Sequence, residues 1–281
     1  DPSARGKRKV EAMAAEWADN KEIKKDEEVQ MTFGDALEKY IQERSAVLSP
    51  SSIRKYKSMQ HNCMVPLKEY QLKEITQSVI QKVINNASTE LSPKSVRDMN
   101  GLISAVMKRF RPGIVINITL PKKLRSNIYI PTEEDIKKIV RASEGTIMEV
   151  PILLAAFGAM RRGEICALQK SDIKNHTIHV TKTMVMNDEG EWIVKAPKSY
   201  AGDRYVNYPS FVIEKFLKLP TDTVDMNPNT LTTLFGNLLK KLEISHFRFH
   251  DLRHYNASVQ HALGIPDAYI MQSGGWGNDS V

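Results

Sequence analysis

Cysteine is nearly absent. Two occur in 281 residues, Cys63 and Cys166, and neither sits in a metal-ligand pattern. That argues against a disulfide-stapled scaffold and favours a reducing, cytosolic setting. Long apolar runs are missing too, and none reaches the roughly 20 residues that a membrane-spanning helix needs. No signal-peptide pattern is seen at its start. It begins with Asp1 and not Met, which reads as a processed or engineered fragment. Negative charge is scarce in one block. Residues 31–130 hold 16 Lys and Arg against 7 Asp and Glu, whereas the flanking segments each sum to −1. The net charge of +7 is therefore confined to that block. A localised basic surface suits a polyanion, most often nucleic acid, although a solvated basic face would give the same count.

Residues 1–30 read as a leader or linker helix of mixed charge with little apolar face. Thr32 and Asp35 mark the start of a helix whose Phe33, Leu37, Tyr40 and Ile41 share one face. A short repeat follows. Leu48-Ser49-Pro50-Ser51-Ser52-Ile53-Arg54 recurs as Leu91-Ser92-Pro93-Lys94-Ser95-Val96-Arg97. In each, Ser suits an N-cap and Pro the first helical position. Helix N-termini, serine hydroxyls and arginines can hold phosphates, and the plain alternative is two well-capped helices. Residues 112–130, with two prolines and basic residues, read as an interdomain linker. Thr132 then caps another helix with Ile136, Ile139 and Val140 inward. Ile178, Val180, Met184 and Met186 alternate as in a strand, Asn187–Gly190 reads as a turn, and residues 191–194 and 204–208 form two further strands. Helices return from about 210. One begins near His250 and ends at Gly264, with Leu252, Val259, Ala262 and Leu263 inward. The expected fold class is mainly α with a small antiparallel β-sheet.

Three short stretches carry chemistry. Pro151–Ala159 has no charged or strongly polar side chain, yet it runs straight into Met160-Arg161-Arg162-Gly163-Glu164. A buried cation needs a partner. Either Glu164 answers it, as an internal salt bridge, or an external anion does. Lys198 lies in the loop between two strands, where it also fits an ordinary hairpin lysine. His246–His254 is dense in donors, but three histidines without a carboxylate or cysteine cluster make a poor metal site, so no metal is expected. If Arg161, Lys198, His250 and Arg253 converge, they suit a phosphodiester in transfer, whose non-bridging oxygens gather negative charge. Arginines can hold those oxygens bidentately, lysine can protonate the leaving oxygen, and histidine can move a proton. In isolation, His250 also fits a helix cap, and a tryptophan such as Trp276 is more often a core residue than part of a site.

Taken together, these residues resemble the tyrosine recombinases, in particular phage-type and conjugative-transposon integrases, from about Met31 to the end. GAMRRGEI is similar to the family's first-arginine box, PKSYAGDR to its hairpin lysine, HDLRH to its second box, and Ser273-Gly274-Gly275-Trp276 to its His/Trp segment. The resemblance implies catalytic roles for Arg161, Lys198, His250, Arg253 and Trp276, with Glu164 supporting Arg161. It implies a two-domain DNA clamp: a helical core-type DNA-binding domain over 31–120 and a catalytic domain over 121–281. Ser51, Arg54, Lys55, Lys57, Lys94, Ser95, Arg97, Lys108 and Arg109 are the expected DNA contacts. Also implied are double-stranded DNA as partner, a tetramer on paired sites, room for accessory proteins, no cofactor, and the cytoplasm of a bacterial cell. A type IB topoisomerase-like enzyme or a non-catalytic DNA-binding regulator would use similar parts. The family's nucleophilic tyrosine lies shortly after the Gly-Gly-Trp segment. The five residues after Trp276 contain none, and Tyr255 and Tyr269 are misplaced for it. As written, the chain is expected to bind DNA but not cleave it.

Overall fold

The structure is a computed structural model and describes residues 10, 11, 13, 14, 31–123, 129–197 and 200–276. Most of the expected leader therefore lies outside the described residues. The chain divides into two compact units, Asp1–Arg125 and Ser126–Val281.

The first unit is helical: α1 (Phe33–Gln42), α2 (Pro50–Asn62), α3 (Gln77–Glu90) and α4 (Pro93–Phe110), with two short 3-10 turns before α3. Thr32 caps α1 by accepting the Asp35 amide, which aims Phe33, Leu37, Tyr40 and Ile41 inward as a single stripe. They meet Val96, Ile103, Val106 and Phe110 in one core. The two repeats open α2 and α4 but differ in detail. Ser92 accepts the Ser95 amide, whereas Ser49 makes no cap bond and lies against Ser51 and Ser52. Asp98 joins them by pairing with Lys55 at 2.8 Å and Lys94 at 3.0 Å. The expected linker is anchored over its first half. Ile114, Ile116, Ile118 and Leu120 pack on the core, and Arg97 donates to the Pro121 carbonyl at 2.7 Å. That alternating apolar edge was hidden among prolines and basic residues.

The second unit runs α5 (Glu133–Ser143), α6 (Glu149–Gly158), α7 (Arg162–Ala167), β1 (Ile173–Lys174), β2 (Thr177–Val180), β3 (Thr183–Met186), β4 (Trp192–Lys195), β5 (Arg204–Asn207), α8 (Ser210–Leu217), α9 (Pro228–Lys241), α10 (Asp251–Ala262) and α11 (Asp267–Gly274). Thr132 and Asp135 form a full capping box at α5. The single strand expected over 178–186 is two. β2 pairs with β1 and β5, while β3 pairs with β4, all antiparallel. Alternation continues across the break at residues 181–182, so the side-chain pattern concealed it.

α6 is the central element, as its apolar sequence required. Every residue but Phe157 is buried. It packs against α5, α7, α8 and α10. Tyr208 follows β5 and donates to the Leu154 carbonyl of α6 at 2.7 Å. Its phenol lies where a Gly158 Cβ would stand, with ring and oxygen atoms 2.0 Å away, so only glycine fits there. α10 corrects the sequence reading. Leu252 is buried, but Val259, Ala262 and Leu263 are exposed, and the inward face is completed by Arg253 and Asn256. Polar residues hold this helix in place because its neighbour offers backbone carbonyls.

Candidate active site

α6 ends in Ala159, a left-handed residue with φ 52°. Carbonyls in the last turn of a helix lack intrahelical partners, and that end of the dipole favours cations. α10 supplies both needs. Arg253 Nη1 donates to the Ala159 carbonyl at 2.6 Å, and Asn256 Nδ2 donates to the Ala156 carbonyl at 2.8 Å. Arg253 is fully buried, and among the described residues its Nε and Nη2 find no acceptor. Burial, then the charges of Arg161 and Arg204, push its guanidinium down to about 9. It therefore stays charged at neutral pH.

The chain then reverses, and Arg161 becomes the N-cap of α7. Its amide donates to Glu164 Oε2 at 2.9 Å and its Nη1 to Glu164 Oε1 at 2.7 Å. Nη2 reaches the Gly275 carbonyl at 2.6 Å. Glu164 answers Arg161, but not alone. Buried Arg204, from β5, grips both oxygens of the same carboxylate at 3.1 and 2.8 Å and donates Nε to the Ser273 carbonyl at 2.7 Å. Burial raises the Glu164 carboxyl, yet the hydrogen bonds and charge of Arg204, followed by Arg161, outweigh it and hold the group below the ordinary value. Two guanidiniums thus share one carboxylate, and Arg253 beside them bonds no carboxylate among the described residues, leaving positive charge uncompensated inside the fold.

Trp276 covers the cluster, with the Arg253 guanidinium carbon 3.9 Å from its ring centroid. The turn before it is built for that approach. Gly274 leaves room for the indole, since a Cβ there would stand 1.9 Å from the ring, and Gly275 takes φ 66°. His254 stacks beside the indole at 6.4 Å, and His250 meets His254 edge-on at 5.1 Å. His250 is exposed, but desolvation, then the charges of Arg253, His254 and Arg161, push its imidazole down to about 4. Asp251 anchors the start of α10 by accepting the Arg248 amide and side chain. No group of three His, Cys, Asp or Glu able to hold a metal ion occurs among the described residues.

Arg161, Glu164, His250, Arg253 and Trp276 therefore gather at one place. Lys198 lies outside the described residues. Arg162 turns away to Thr232 on α9 at 2.8 Å. On the first unit, Ser51, Arg54, Lys94, Ser95 and Lys108 are exposed. Arg109 is paired with Glu43, Lys55 with Asp98, and Lys57 is half-buried. Arg204 was missed, although a signal existed: it shares strand parity with buried Val206 and Tyr208, so its side chain had to point inward.

The phage integrase family matches residues 131–281, and the N-terminal SAM-like domain of phage integrases matches residues 32–88. A XerC-like tyrosine recombinase of Caldanaerobacter subterraneus subsp. tengcongensis is 25% identical over 204 residues, covering 60% of this chain and 52% of that protein. The chain spans 37% to 52% of the curated relatives it matches. The Tn1549 transposon integrase in complex with transposon right-end DNA superposes with a TM-score of 0.74 at 15% identity, covering 88% of this chain and 92% of that one. A lambda integrase tetramer bound to a Holliday junction gives 0.69 at 18% identity, covering 90% and 76%.

Proposed function

Because the chain belongs to the phage integrase family, we propose that it is a site-specific DNA recombinase that cuts and rejoins strands to integrate or excise a mobile element. The observation that carries this reading is Arg253: a buried guanidinium with two donors that no acceptor among the described residues satisfies, beside a second arginine. Unsatisfied charged donors inside a fold are costly. A phosphate with two non-bridging oxygens would satisfy them.

In this reading a tyrosine oxygen attacks the phosphorus, the bond to the 5′ oxygen breaks, and a 3′-phosphotyrosyl link forms. Arg161 and Arg253 hold the non-bridging oxygens as charge builds on them. Trp276 lies over Arg253, and its indole N–H is the proposed further donor to the phosphate. His250, uncharged at neutral pH, is able to accept the nucleophile's proton. Lys198 is the proposed donor to the departing 5′ oxygen. The phosphotyrosyl bond keeps the energy of the bond broken, so religation proceeds without ATP. The domain over 31–120 grips double-stranded DNA through Ser51, Arg54, Lys55, Lys57, Lys94, Ser95, Arg97, Lys108 and Arg109. The domain over 121–281 carries the chemistry. The tetrameric lambda integrase complex supports a tetramer on paired sites. The proposed setting is the bacterial cytoplasm.

The test uses full-length protein and a nicked DNA substrate whose short cleaved fragment diffuses away, trapping any covalent adduct. A protein–DNA adduct is expected, and Arg253→Ala is expected to reduce its formation by about 10²–10³-fold while DNA affinity is largely kept. No adduct, or an equal loss of binding and cleavage in Arg253→Ala, would contradict the assignment.

A further inference from the structure

We infer that Arg204 is a positioning residue that keeps Arg161 and Trp276 aimed at the bound phosphate, an inference that rests on the recombinase reading. From β5 its guanidinium reaches two elements at once. One side grips both Glu164 oxygens, and Glu164 in turn orients Arg161 through its amide and Nη1. The other side holds the Ser273 carbonyl at 2.7 Å, at the start of the turn that carries Trp276. Arg161 closes the ring by donating to the Gly275 carbonyl. One buried arginine therefore ties β5, the start of α7 and the Trp276 turn together.

Two further features fit. The turn is moulded on the Arg204 side chain, since a Cβ on Gly275 would meet Ala201 O at 2.6 Å and Arg204 Cδ at 3.0 Å. Charge points the same way. With Arg204 engaging both carboxylate oxygens, Glu164 is shared between two guanidiniums and Arg161 keeps surplus charge for a phosphate. Without Arg204, Glu164 and Arg161 become a neutral one-to-one pair, and the carboxylate loses its best partner. Lysine replaces the charge but not the planar fork that reaches a carboxylate and a carbonyl together.

The test compares Arg204→Gln and Arg204→Lys in the full-length protein by two readouts. The first is the ¹⁵N side-chain signals of Arg161 and Trp276, assigned with Arg161→Lys and Trp276→Phe. Both signals are expected to shift and exchange faster with solvent in Arg204→Gln, with partial recovery in Arg204→Lys. Signals left unchanged would overturn the inference. The second is single-turnover cleavage of DNA bearing either the ordinary phosphodiester or a neutral methylphosphonate at the scissile position. Arg204→Gln is expected to lose about 10²-fold on the phosphodiester. Its loss on the methylphosphonate is expected to be clearly smaller, because one non-bridging oxygen is replaced by methyl and the other is uncharged until attack, which leaves less charge for Arg161 to hold. Equal losses on both would mark a general structural defect and overturn the inference. Should wild-type protein cleave neither DNA, the recombinase reading fails, and the first readout alone decides whether Arg204 sets Arg161 and Trp276. Should Arg204→Gln not fold, Arg204→Lys carries both readouts with the same criteria.

Discussion

At the scale of single residues, the site joins what the sequence lists far apart. Arg161 and Glu164 are three residues from each other, so their pairing was legible from GAMRRGEI alone. Arg204 lies 40 residues from Glu164 and 69 from Ser273, and only folding brings them together. His250 gives the sharpest residue-level expectation. Cations around it and desolvation hold its imidazole at about 4, below the ordinary value of 6.5. The folded chain therefore takes up this proton less readily than the unfolded chain. Stability linked to it is fully present above the ordinary value and is lost as pH falls from there towards 4. By NMR, His250 is expected to titrate near 4 in the free protein and higher once DNA phosphate faces it. A midpoint near 6.5 in the free protein would contradict the cation cluster.

At the scale of elements, caps and apolar stripes were readable, whereas breaks and polar faces were not. Thr32 and Thr132 announced α1 and α5 because capping is local chemistry. The gap between β2 and β3 left no mark, since both strands keep the same alternation. α10 misled more seriously. Its buried face is polar because its partners are the end carbonyls of α6, which no periodicity reveals. α7 shows how tightly the site's supports are packed. A Cβ on Gly163 would stand 2.6 Å from Thr183 Oγ1 and 2.7 Å from the Met184 carbonyl of β3. Gly163→Ala must push α7 off β3, and overpacking of this kind costs about 1–3 kcal/mol. Urea unfolding is expected to show that loss. Unchanged stability would mean that α7 and β3 do not pack this closely.

At the scale of the whole molecule, composition carried more than any element did. The basic block of residues 31–130 falls largely within the first compact unit, and the donor-rich boxes fall in the second. The basic excess over 31–130 was legible from composition, but the anchoring of 114–121 onto the first unit was not, because alternating apolar residues in a proline-containing stretch read as connection. The central claim concerns one phosphate and the distant cations that meet around it. Its most direct measurement is a crystal structure of the full-length protein on its DNA site. The scissile phosphate is expected within about 3 Å of Arg253 Nε or Nη2 and of the Arg161 guanidinium, with Trp276 beside it. A scissile phosphate bound elsewhere, with the two Arg253 donors still facing protein, would contradict the claim.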